Sequence, residues 1–480
     1  MANTTNNQSE YESSVYRMGI GFFFLFMAFN TTQALETTLL SDQTLAYATL
    51  GVLYGVFTAT TIIAPKLVDI LGPRIGMGIG AVPYVLLVFA NIYPDYYTLI
   101  PASAGVGFGA GLLWTSQGIY LSRCAVREAT ATKQPVDTIT SRFNGMFWTL
   151  FQSNAAVGLI VSSIILGEAN NGKFSLKTAV TYMFIGFGVI GCAGIMILLS
   201  LKNAPSLNST STIQTATNSD DDDPEDGMIN SEKAKAKQQV TLLDTLHLLV
   251  NSRAMLLLLP AIFYCGASLG FFGATFPLIY QDPSTISASS PAKLLPSSYV
   301  GYQAATFYAT NSFFSYLWGK IVPVIGRRTL FMVTFVTAAA FFGLVILYTS
   351  GVFTIAHDSG TAYAYVFLLP VVFAAGDSVL ESQLPAIIQS PTFLPIERER
   401  DAANSVYRML QSIGYCAQFG LGIAFPCKDS TSACSNQAFI LLPLLIVAIA
   451  CIYICDKFVR PIENKETKDG HEYSAVNADD

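Results

Sequence analysis

The sequence predicts an all-α membrane protein with twelve transmembrane helices arranged as two six-helix repeats. Three observations predict this fold class: the low share of charged residues, the number of long apolar runs, and the alternating placement of Lys and Arg. Of the 480 residues, 52% are hydrophobic and 12% are charged, whereas a soluble domain carries about 25% charged residues. This composition excludes a disordered chain, a nucleic-acid-binding protein and a small disulfide scaffold.

The apolar runs have the length of membrane helices, which need about 20 mostly apolar residues. They are too long and too continuous for the ~10-residue alternating strands of a membrane barrel. The first six runs are 19–40, 45–64, 75–93, 98–121, 143–166 and 178–201. After a polar stretch, the second six are 254–280, 298–319, 329–350, 361–388, 403–425 and 436–456.

The basic residues predict the orientation of the chain in the membrane. With these twelve spans, 22 of the 26 Lys and Arg residues fall on one side of the membrane. The other side receives only Lys173, Lys177, Lys293 and Lys428. Because Lys and Arg are enriched in cytosolic loops, we expect both termini in the cytosol. The identity of the membrane, plasma membrane or endomembrane, is left open.

The spans divide the chain into five segments. They are a cytosolic N-terminal tail (1–18), an N-terminal half (19–201), a cytosolic linker (202–253), a C-terminal half (254–456) and a cytosolic C-terminal tail (457–480). The linker is rich in Ser, Thr, Asn and Asp up to residue 240 and predicts disorder, followed by a short interfacial helix at 240–250. A plain tether and a regulatory segment both remain open.

The eight cysteines follow no metal-binding spacing, and most lie inside apolar runs. One pair, Cys427 and Cys434, flanks a short polar loop on the non-cytosolic side. A disulfide is chemically permitted there, and the sequence leaves open whether it forms.

Three carboxylates lie within the spans, where a charge is costly and marks a candidate functional site. Asp377 and Glu381 stand at i and i+4 on one face of span 10, where their repulsion favours a shared proton and hence proton coupling. The alternative is that Glu381 extends to the cytosolic interface and Asp377 pairs with a helix end or with Arg408. For Glu36 in span 1, the alternative is a cap near the membrane surface.

Span 1 carries a polar stripe formed by Asn30, Gln33 and Glu36 at a spacing of three residues. Such a stripe is expected to face the bundle interior or a wet cavity. Helix-to-helix hydrogen bonding without any ligand is the alternative.

The two halves repeat weakly in their loops and spans. The loop at 65–74 matches the loop at 319–328, Gln117 matches Gln383, and Gln152 matches Gln411, in the same order and between equivalent spans. These matches predict two parallel six-helix repeats.

These loops resemble the signature of the major facilitator superfamily, roughly Gly-x-x-x-Asp-x-x-Gly-Arg-Arg/Lys, in which the charges latch helix ends at the cytosolic face. The matching residues are Asp69, Gly72 and Arg74, then Gly319, Gly326, Arg327 and Arg328. Pro65 and Pro323 depart from the signature. The resemblance implies that spans 1, 4, 7 and 10 line a central cavity, with Trp114, Gln117 and Tyr264 beside the polar stripe.

A narrower resemblance covers nearly all twelve spans and is to the Unc-93 (uncoordinated-93) family, especially its Mfsd-eleven-like branch. The stretches that carry it are 28–33, 54–57, 113–118, 144–148, 376–378, 383 and 411–413. The resemblance implies a protein for which solute transport is often unestablished. Some members look like regulators of potassium channels, and one branch looks like a trafficking chaperone.

We therefore expect a regulator of ion (potassium) channels or of membrane-protein trafficking. The alternative is a secondary active transporter of an unknown small solute, with proton coupling left open. A third class, an ion channel in its own right, has the least support because the sequence contains no filter-like segment. No Walker motif, zinc cluster or nucleophile elbow occurs, so we expect no enzymatic activity, cofactor or metal. The expected partners are the lipid bilayer and a channel or other membrane protein, or a solute, and no nucleic acid.

Overall fold

The protein forms a bundle of long helices. The structure, a computed structural model, describes residues 2–39, 43–170, 175–204, 248, 250, 252–280, 299–356, 359–425 and 431–459, without the side chains of some residues near helix ends. Most of the predicted linker 202–253, its interfacial helix and the C-terminal tail beyond residue 459 lie outside the described residues.

Twelve long helices account for nearly all of the described chain, one at each predicted span. In the N-terminal half they are α1 (Ala2–Leu39), α2 (Gln43–Leu71), α3 (Pro73–Ala90), α4 (Tyr96–Thr132), α5 (Val136–Asn170) and α6 (Leu176–Leu199). In the C-terminal half they are α7 (Arg253–Gly270, continued by Phe271–Thr275 and Phe276–Tyr280), α8 (Tyr299–Ile325), α9 (Arg327–Thr349), α10 (Gly360–Tyr363, Ala364–Leu368 and Leu369–Ile388), α11 (Glu397–Ala424) and α12 (Thr431–Ile454, then Cys455–Val459). The middle piece of α7 and of α10 and the last piece of α12 are π-helical.

Six helices extend well beyond their predicted spans at the end of the bundle that carries the α2–α3 and α4–α5 connections, called here the basic end; they are α1, α2, α4, α5, α8 and α11. The predicted N-terminal tail, 1–18, forms the first turns of α1 from Ala2 onward, and the ion pairs Glu10–Lys202 and Glu12–Arg142 attach these turns to the bundle. α4 continues to Thr132, and α11 already begins at Glu397. The apolar run from which a span is predicted stops at the membrane surface. The helix itself can continue beyond that point where its polar residues find partners.

The two halves share one packing pattern. α1 packs on α5 and α6, and α4 packs on α2 and α3; the equivalent helices pack in the same way in the second half, α7 on α11 and α12, and α10 on α8 and α9. Each half also has its own large hydrophobic core, one drawn from residues 15–204 and the other from residues 248–455. The predicted fold class, twelve helices in two six-helix repeats, is confirmed.

Eight of the helices are long and apolar enough to cross a membrane, judged on the described residues by length and composition. The other four are α1, α5, α8 and α11. They carry buried polar side chains, such as Asn154 in α5, Asn311 in α8 and Gln418 in α11, which lower their hydropathy. α5, α8 and α11 are also the helices that join the halves, because α5 packs along α8 and α11 packs against α2 and α4.

The loops after α2 and α8 show the repeat at the level of single backbone angles. Gly72 precedes α3 with φ 77° and ψ 151°, and Gly326 precedes α9 with φ 78° and ψ 152°. Each glycine also donates its N–H to the carbonyl four residues earlier, Val68 or Val322, at 2.8 and 2.9 Å. This region of backbone angles is almost restricted to glycine, which is the physical reason for glycine in both loops.

Alanine at either loop glycine is expected to destabilise the protein by about 1–3 kcal/mol, because a Cβ is strained at these angles. The double variant Gly72→Ala with Gly326→Ala should lose about the sum, since the two sites lie in different halves. Thermal unfolding of the detergent-purified chain measures the effect. Gly343→Ala is the matched control, because Gly343 lies within α9 with open space around it, and alanine there should be neutral or stabilising.

The backbones of the two halves approach each other closely where α5 crosses α8, at Gly145 and Gly319. A Cβ built on Gly145 would lie 2.7 Å from the Ser315 carbonyl oxygen and 2.9 Å from the Gly319 Cα. These neighbours are backbone atoms, which cannot rotate away as a flexible side chain can. Gly319, predicted as part of the cytosolic gate motif, therefore acts here as a contact between the halves.

Leucine at Gly145 is expected to separate α5 from α8 and to destabilise the bundle by about 1–3 kcal/mol or more, as overpacking does. Gly420→Leu in α11 is the control, because nothing lies near a Cβ at Gly420. Melting temperatures of the two variants provide the comparison. Equal melting temperatures would contradict the close approach of α5 and α8.

Candidate functional site

A buried carboxylate joins the two halves at the centre of the bundle. Glu381 of α10 is 4% exposed, and its Oε2 accepts a hydrogen bond from Gln152 Nε2 of α5. Its Oε1 accepts from Gln411 Nε2 of α11 at 3.4 Å. Gln152 and Gln411 are equivalent residues of the two repeats, so one glutamine from each half binds one oxygen of the same carboxylate.

The counter-charge to Glu381 is Arg408 of α11, which is 6% exposed. Arg408 Nη1 donates to Gln411 Oε1 at 2.8 Å, so the Gln411 amide connects the guanidinium to the carboxylate. The Arg408 Cζ also lies 4.3 Å from the ring centroid of Trp114 and 5.5 Å from that of Trp148. A desolvated cation–π contact contributes about 2 kcal/mol, and the rings of α4 and α5 thus hold a cation of α11.

Asp377, one turn before Glu381, makes a separate contact. It is 2% exposed, and its Oδ2 accepts from Asn311 Nδ2 of α8 at 2.8 Å. Asn311 Oδ1 in turn accepts from Ser315 Oγ at 3.2 Å. Asp377 therefore bonds within the C-terminal half, whereas Glu381 bonds across the halves, although the two carboxylates share a face of α10. Glu381 is thus buried rather than extended to the cytosolic interface. Among the described residues, Asp377 binds Asn311 rather than a helix end or Arg408.

The structure brings together only part of the predicted cavity set. Trp114 lies over Arg408 and packs in an aromatic cluster of the N-terminal half. Asn30 Nδ2 donates to Asn154 Oδ1 at 3.0 Å, which joins α1 to α5, while Gln33 is half-buried on the same helix. The side chain of Glu36 lies outside the described residues, and so do the side chains of the candidate disulfide pair, Cys427 and Cys434.

Two further predicted residues are deeply buried. Gln117 is 2% exposed in α4, and Tyr264 is 1% exposed in α7. Among the described residues, the Tyr264 hydroxyl and the Asp377 Oδ1 have no hydrogen-bond partner. Buried polar atoms without partners are uncommon in folded proteins, and these two lie in the half that contains Asp377 and Glu381.

Four residues of the central network were not among the predicted site residues: Gln152, Gln411, Asn311 and, as the counter-charge to Glu381, Arg408. A signal for the two glutamines was available, because they are a matched pair between the repeats and interrupt apolar spans. Asn311 gave no such signal, because its role depends on the register of α8 against α10.

A second polar cluster closes the basic end between the halves. Arg123 of α4 forms ion pairs with Glu397 at 3.2 Å and Asp401 at 2.9 Å, both on α11. Its Nη1 also donates to the Ala204 carbonyl after α6, at 3.0 Å. All three charged side chains are 8% exposed. We call Arg123, Glu397 and Asp401 the basic-end clamp.

Residues 389 and 390, after α10, add further bonds between the halves at the basic end. The Gln389 carbonyl accepts from Ser122 Oγ at 3.0 Å, and its Oε1 accepts from Asn144 Nδ2 at 2.9 Å. Ser390 Oγ donates to the Asp137 carboxylate of α5. At this end the two halves are therefore tied from α4 and α5 to α10 and α11.

The predicted gate motif places its arginines on neighbouring helix ends. Arg74 Nη1 donates to the Leu201 carbonyl after α6 at 3.2 Å, and Arg327 Nη2 donates to Ser141 Oγ of α5 at 3.1 Å. Arg328 Nε donates to Asp456 Oδ2 of α12 at 2.6 Å. Asp69 is exposed at the end of α2. Among the described residues, no group of three or more His, Cys, Asp or Glu could hold a metal ion.

The fold and the polar interface between two six-helix halves define a class: an integral membrane protein of the major facilitator architecture. The solved structure of the proton:xylose symporter XylE bound to 6-bromo-6-deoxy-D-glucose superimposes with a TM-score of 0.62, covering 95% of this chain and 96% of that chain. The two sequences are 12% identical, so this likeness shows the fold alone.

The family follows from the sequence match. Residues 41–454 match the family model described as "Ion channel regulatory protein UNC-93", and the chain belongs to the UNC-93 family. Protein unc-93 homolog A of Bos taurus is 28% identical over 456 residues, covering 91% of each chain. The UNC93-like protein MFSD11 of Xenopus tropicalis is 25% identical over 420 residues, covering 84% of this chain and 88% of its own. The predicted family resemblance is confirmed.

Proposed function

We propose that this protein regulates an ion channel in the same membrane, and that this channel is a potassium channel. The observation that carries the proposal is the match of residues 41–454 to the family described as ion channel regulatory. The proposal assigns no catalytic chemistry to the chain.

The contacts between the halves support a regulatory role. The halves are joined at the basic end by Arg123 and Asp401 and at the centre by Gln152 and Glu381. A third contact joins α2 to α11, where the hydroxyls of Thr58 and Ser412 lie 3.0 Å apart. Arg123 pairs with Glu397 and Asp401, and Glu381 binds Gln152 and Gln411, so these groups are engaged inside the bundle and its outer surface remains for a partner. A bundle held in this way offers a partner one persistent surface.

Co-expression tests the proposal. The full chain is expressed in oocytes with each of a panel of potassium channels, and the current and the amount of channel at the cell surface are measured together. The control is XylE, a protein of the same architecture, expressed at an equal level. We expect at least one channel to change its current and to co-purify with the chain.

The two readouts separate regulation of conduction from regulation of trafficking. A changed current at constant surface amount indicates regulation of the open channel, whereas a proportional change in both indicates that the chain assists trafficking. No change in current and no co-purification with any channel would contradict the proposal.

The proposal includes an orientation with the termini and the linker in the cytosol. The placement of 22 of the 26 Lys and Arg residues supports it. An epitope inserted in the linker at 205–247 should react with antibody only after permeabilisation, and an epitope at 281–298 should react without it. Imaging of the same tagged chain distinguishes plasma membrane from endomembrane. The reverse reactivity would overturn the orientation.

A second candidate function is secondary active transport of a small solute. Two buried polar atoms favour it, the Asp377 Oδ1 and the Tyr264 hydroxyl, which lack hydrogen-bond partners among the described residues. A proton or a solute would satisfy such atoms. The buried carboxylates would then carry the coupling.

Reconstitution distinguishes the two functions. The purified chain is placed in vesicles and offered a broad solute panel under an imposed pH gradient, with Glu36→Gln and Asp377→Asn as variants. Proton-coupled transport predicts uptake that at least one variant abolishes. Uptake unchanged in both variants would remove coupling through these carboxylates, and no uptake of any solute would favour the regulator.

A further inference from the structure

A groove of about 540 Å³ opens on the outside of the C-terminal half at the basic end. Its walls are α9 and α12, and its floor includes Leu258 of α7 and Ile387 of α10. The volume falls within the ~300–1,000 Å³ typical of ligand sites. Met332 and Ile446 on its walls are 52% and 54% exposed on the outer surface of the bundle, where the surrounding solvent is hydrocarbon.

The groove spans about one leaflet of a membrane. Along α9 its lining runs from Arg327 to Phe335, and along α12 from Ile446 to Asp456. At a rise of about 1.5 Å per residue, these stretches extend about 12–15 Å. This is about half of a hydrocarbon core ~30 Å thick, and it matches the depth reached by the acyl chain of one lipid.

Charged groups stand only at the end of the groove that lies at the basic end. Arg328 Nε binds Asp456, and the Arg328 Nη1 makes no hydrogen bond among the described residues. The Arg328 Cζ lies 5.7 Å from the Tyr453 ring centroid, and the Lys457 Nζ lies 5.5 Å from the same ring. Within the part of the chain that the structure describes, two cations lie over one aromatic ring with one carboxylate, Asp456, beside them, and this mouth favours an anion.

We propose that this groove binds an anionic phospholipid of the leaflet at the basic end. An acyl chain lies along the apolar walls, and the phosphate lies at Arg328 and Lys457. Charge complementarity supports an anionic headgroup, because anionic lipids attract each nearby Lys or Arg by about 1 kcal/mol. A zwitterionic lipid also carries a phosphate, but the two cations would repel its headgroup cation, so its net attraction to this mouth is smaller.

A second groove provides a matched comparison within the same chain. It has a volume of about 400 Å³ and lies between α5 and α6. The residues that line it are apolar or uncharged, including Val161, Tyr182 and Gly186. This groove offers acyl-chain space without a cationic mouth.

Photolabelling tests the proposal. The full chain is reconstituted in phosphatidylcholine vesicles that contain a phosphatidylglycerol with a diazirine on one acyl chain, and labelled peptides are mapped by mass spectrometry. We expect labels on α9 and α12, with a lower apparent affinity for a phosphatidylcholine carrying the same diazirine. Ala450→Trp, which fills the groove from an exposed position, should abolish this labelling, and Gly186→Trp in the second groove should leave it unchanged.

Charge variants test the headgroup. Arg328→Gln combined with Lys457→Gln should weaken the apparent affinity for the anionic probe about thirty-fold, at about five-fold per cation. Arg328→Lys keeps the positive charge and should therefore keep most of the affinity. This result would show that a substitution at this position leaves the groove intact. Equal labelling by the two lipids, or labelling of α9 and α12 that survives Ala450→Trp, would overturn the proposal.

Discussion

Alanine at Arg123 is expected to lower the free energy of unfolding by about 3–5 kcal/mol, the usual effect of breaking a buried ion pair. The substitution leaves Glu397 and Asp401 buried without a counter-charge, each 8% exposed at the interface of the halves. Thermal unfolding of the detergent-purified chain measures the loss.

Two comparisons separate this effect from a general effect of lost charge. Lys202→Ala breaks the exposed pair with Glu10, in which the lysine side chain is 64% exposed, and should change stability by less than about 1 kcal/mol. Arg123→Met combined with Glu397→Gln and Asp401→Asn removes all three charges and should recover most of the loss. A triple variant no more stable than Arg123→Ala would show that the basic-end clamp contributes more than charge neutralisation.

Alanine at Glu381 is expected to have a second large effect, a loss of about 3–5 kcal/mol in stability. Arg408 would remain buried without its counter-charge, and Gln152 and Gln411 would each lose a hydrogen-bond acceptor. The channel assay should show the same variant to be impaired, because Glu381 joins α5 of one half to α10 of the other.

Replacements that keep different properties of Glu381 show whether its charge or its hydrogen bonds contribute more to stability. Glu381→Gln keeps an acceptor oxygen and nearly the same volume, so its loss should be smaller than that of Glu381→Ala. Combining Glu381→Gln with Arg408→Met should recover stability if the charge pair dominates. Equal melting temperatures for Glu381→Ala and the parent chain would contradict the central network.

The fold was predictable because its signals are local. Hydropathy reports the solvent around each segment. Scanning for apolar runs found all twelve helices, including α1, α5, α8 and α11, which the stricter criterion of length and composition over the described residues does not select. The alternating placement of Lys and Arg supported this number of spans. The loop glycines were predictable for the same reason. A single residue type permits the backbone at Gly72 and Gly326, so the pattern of the repeat appears directly in the sequence.

The central site was only partly predictable. The sequence predicted Trp114 and Glu381 as two separate cavity residues. In the structure they are connected through Arg408 and Gln411. The expectation of a proton shared between Asp377 and Glu381 rested on helix periodicity alone. The structure directs Asp377 to Asn311 of α8 and Glu381 to Gln152 of α5, because the partner of a side chain depends on which helices pack on either side.

By itself the sequence determined the twelve spans, the two repeats, the family and the few polar residues that interrupt the membrane helices. The tertiary structure alone decided the pairing of those polar residues, the clamp at the basic end and the groove between α9 and α12. The physical reason is one of range. Hydrophobic burial and backbone strain act on each segment, whereas ion pairs and hydrogen bonds require atoms within a few ångströms, and only packing brings residues as distant as Arg123 and Asp401 to that distance.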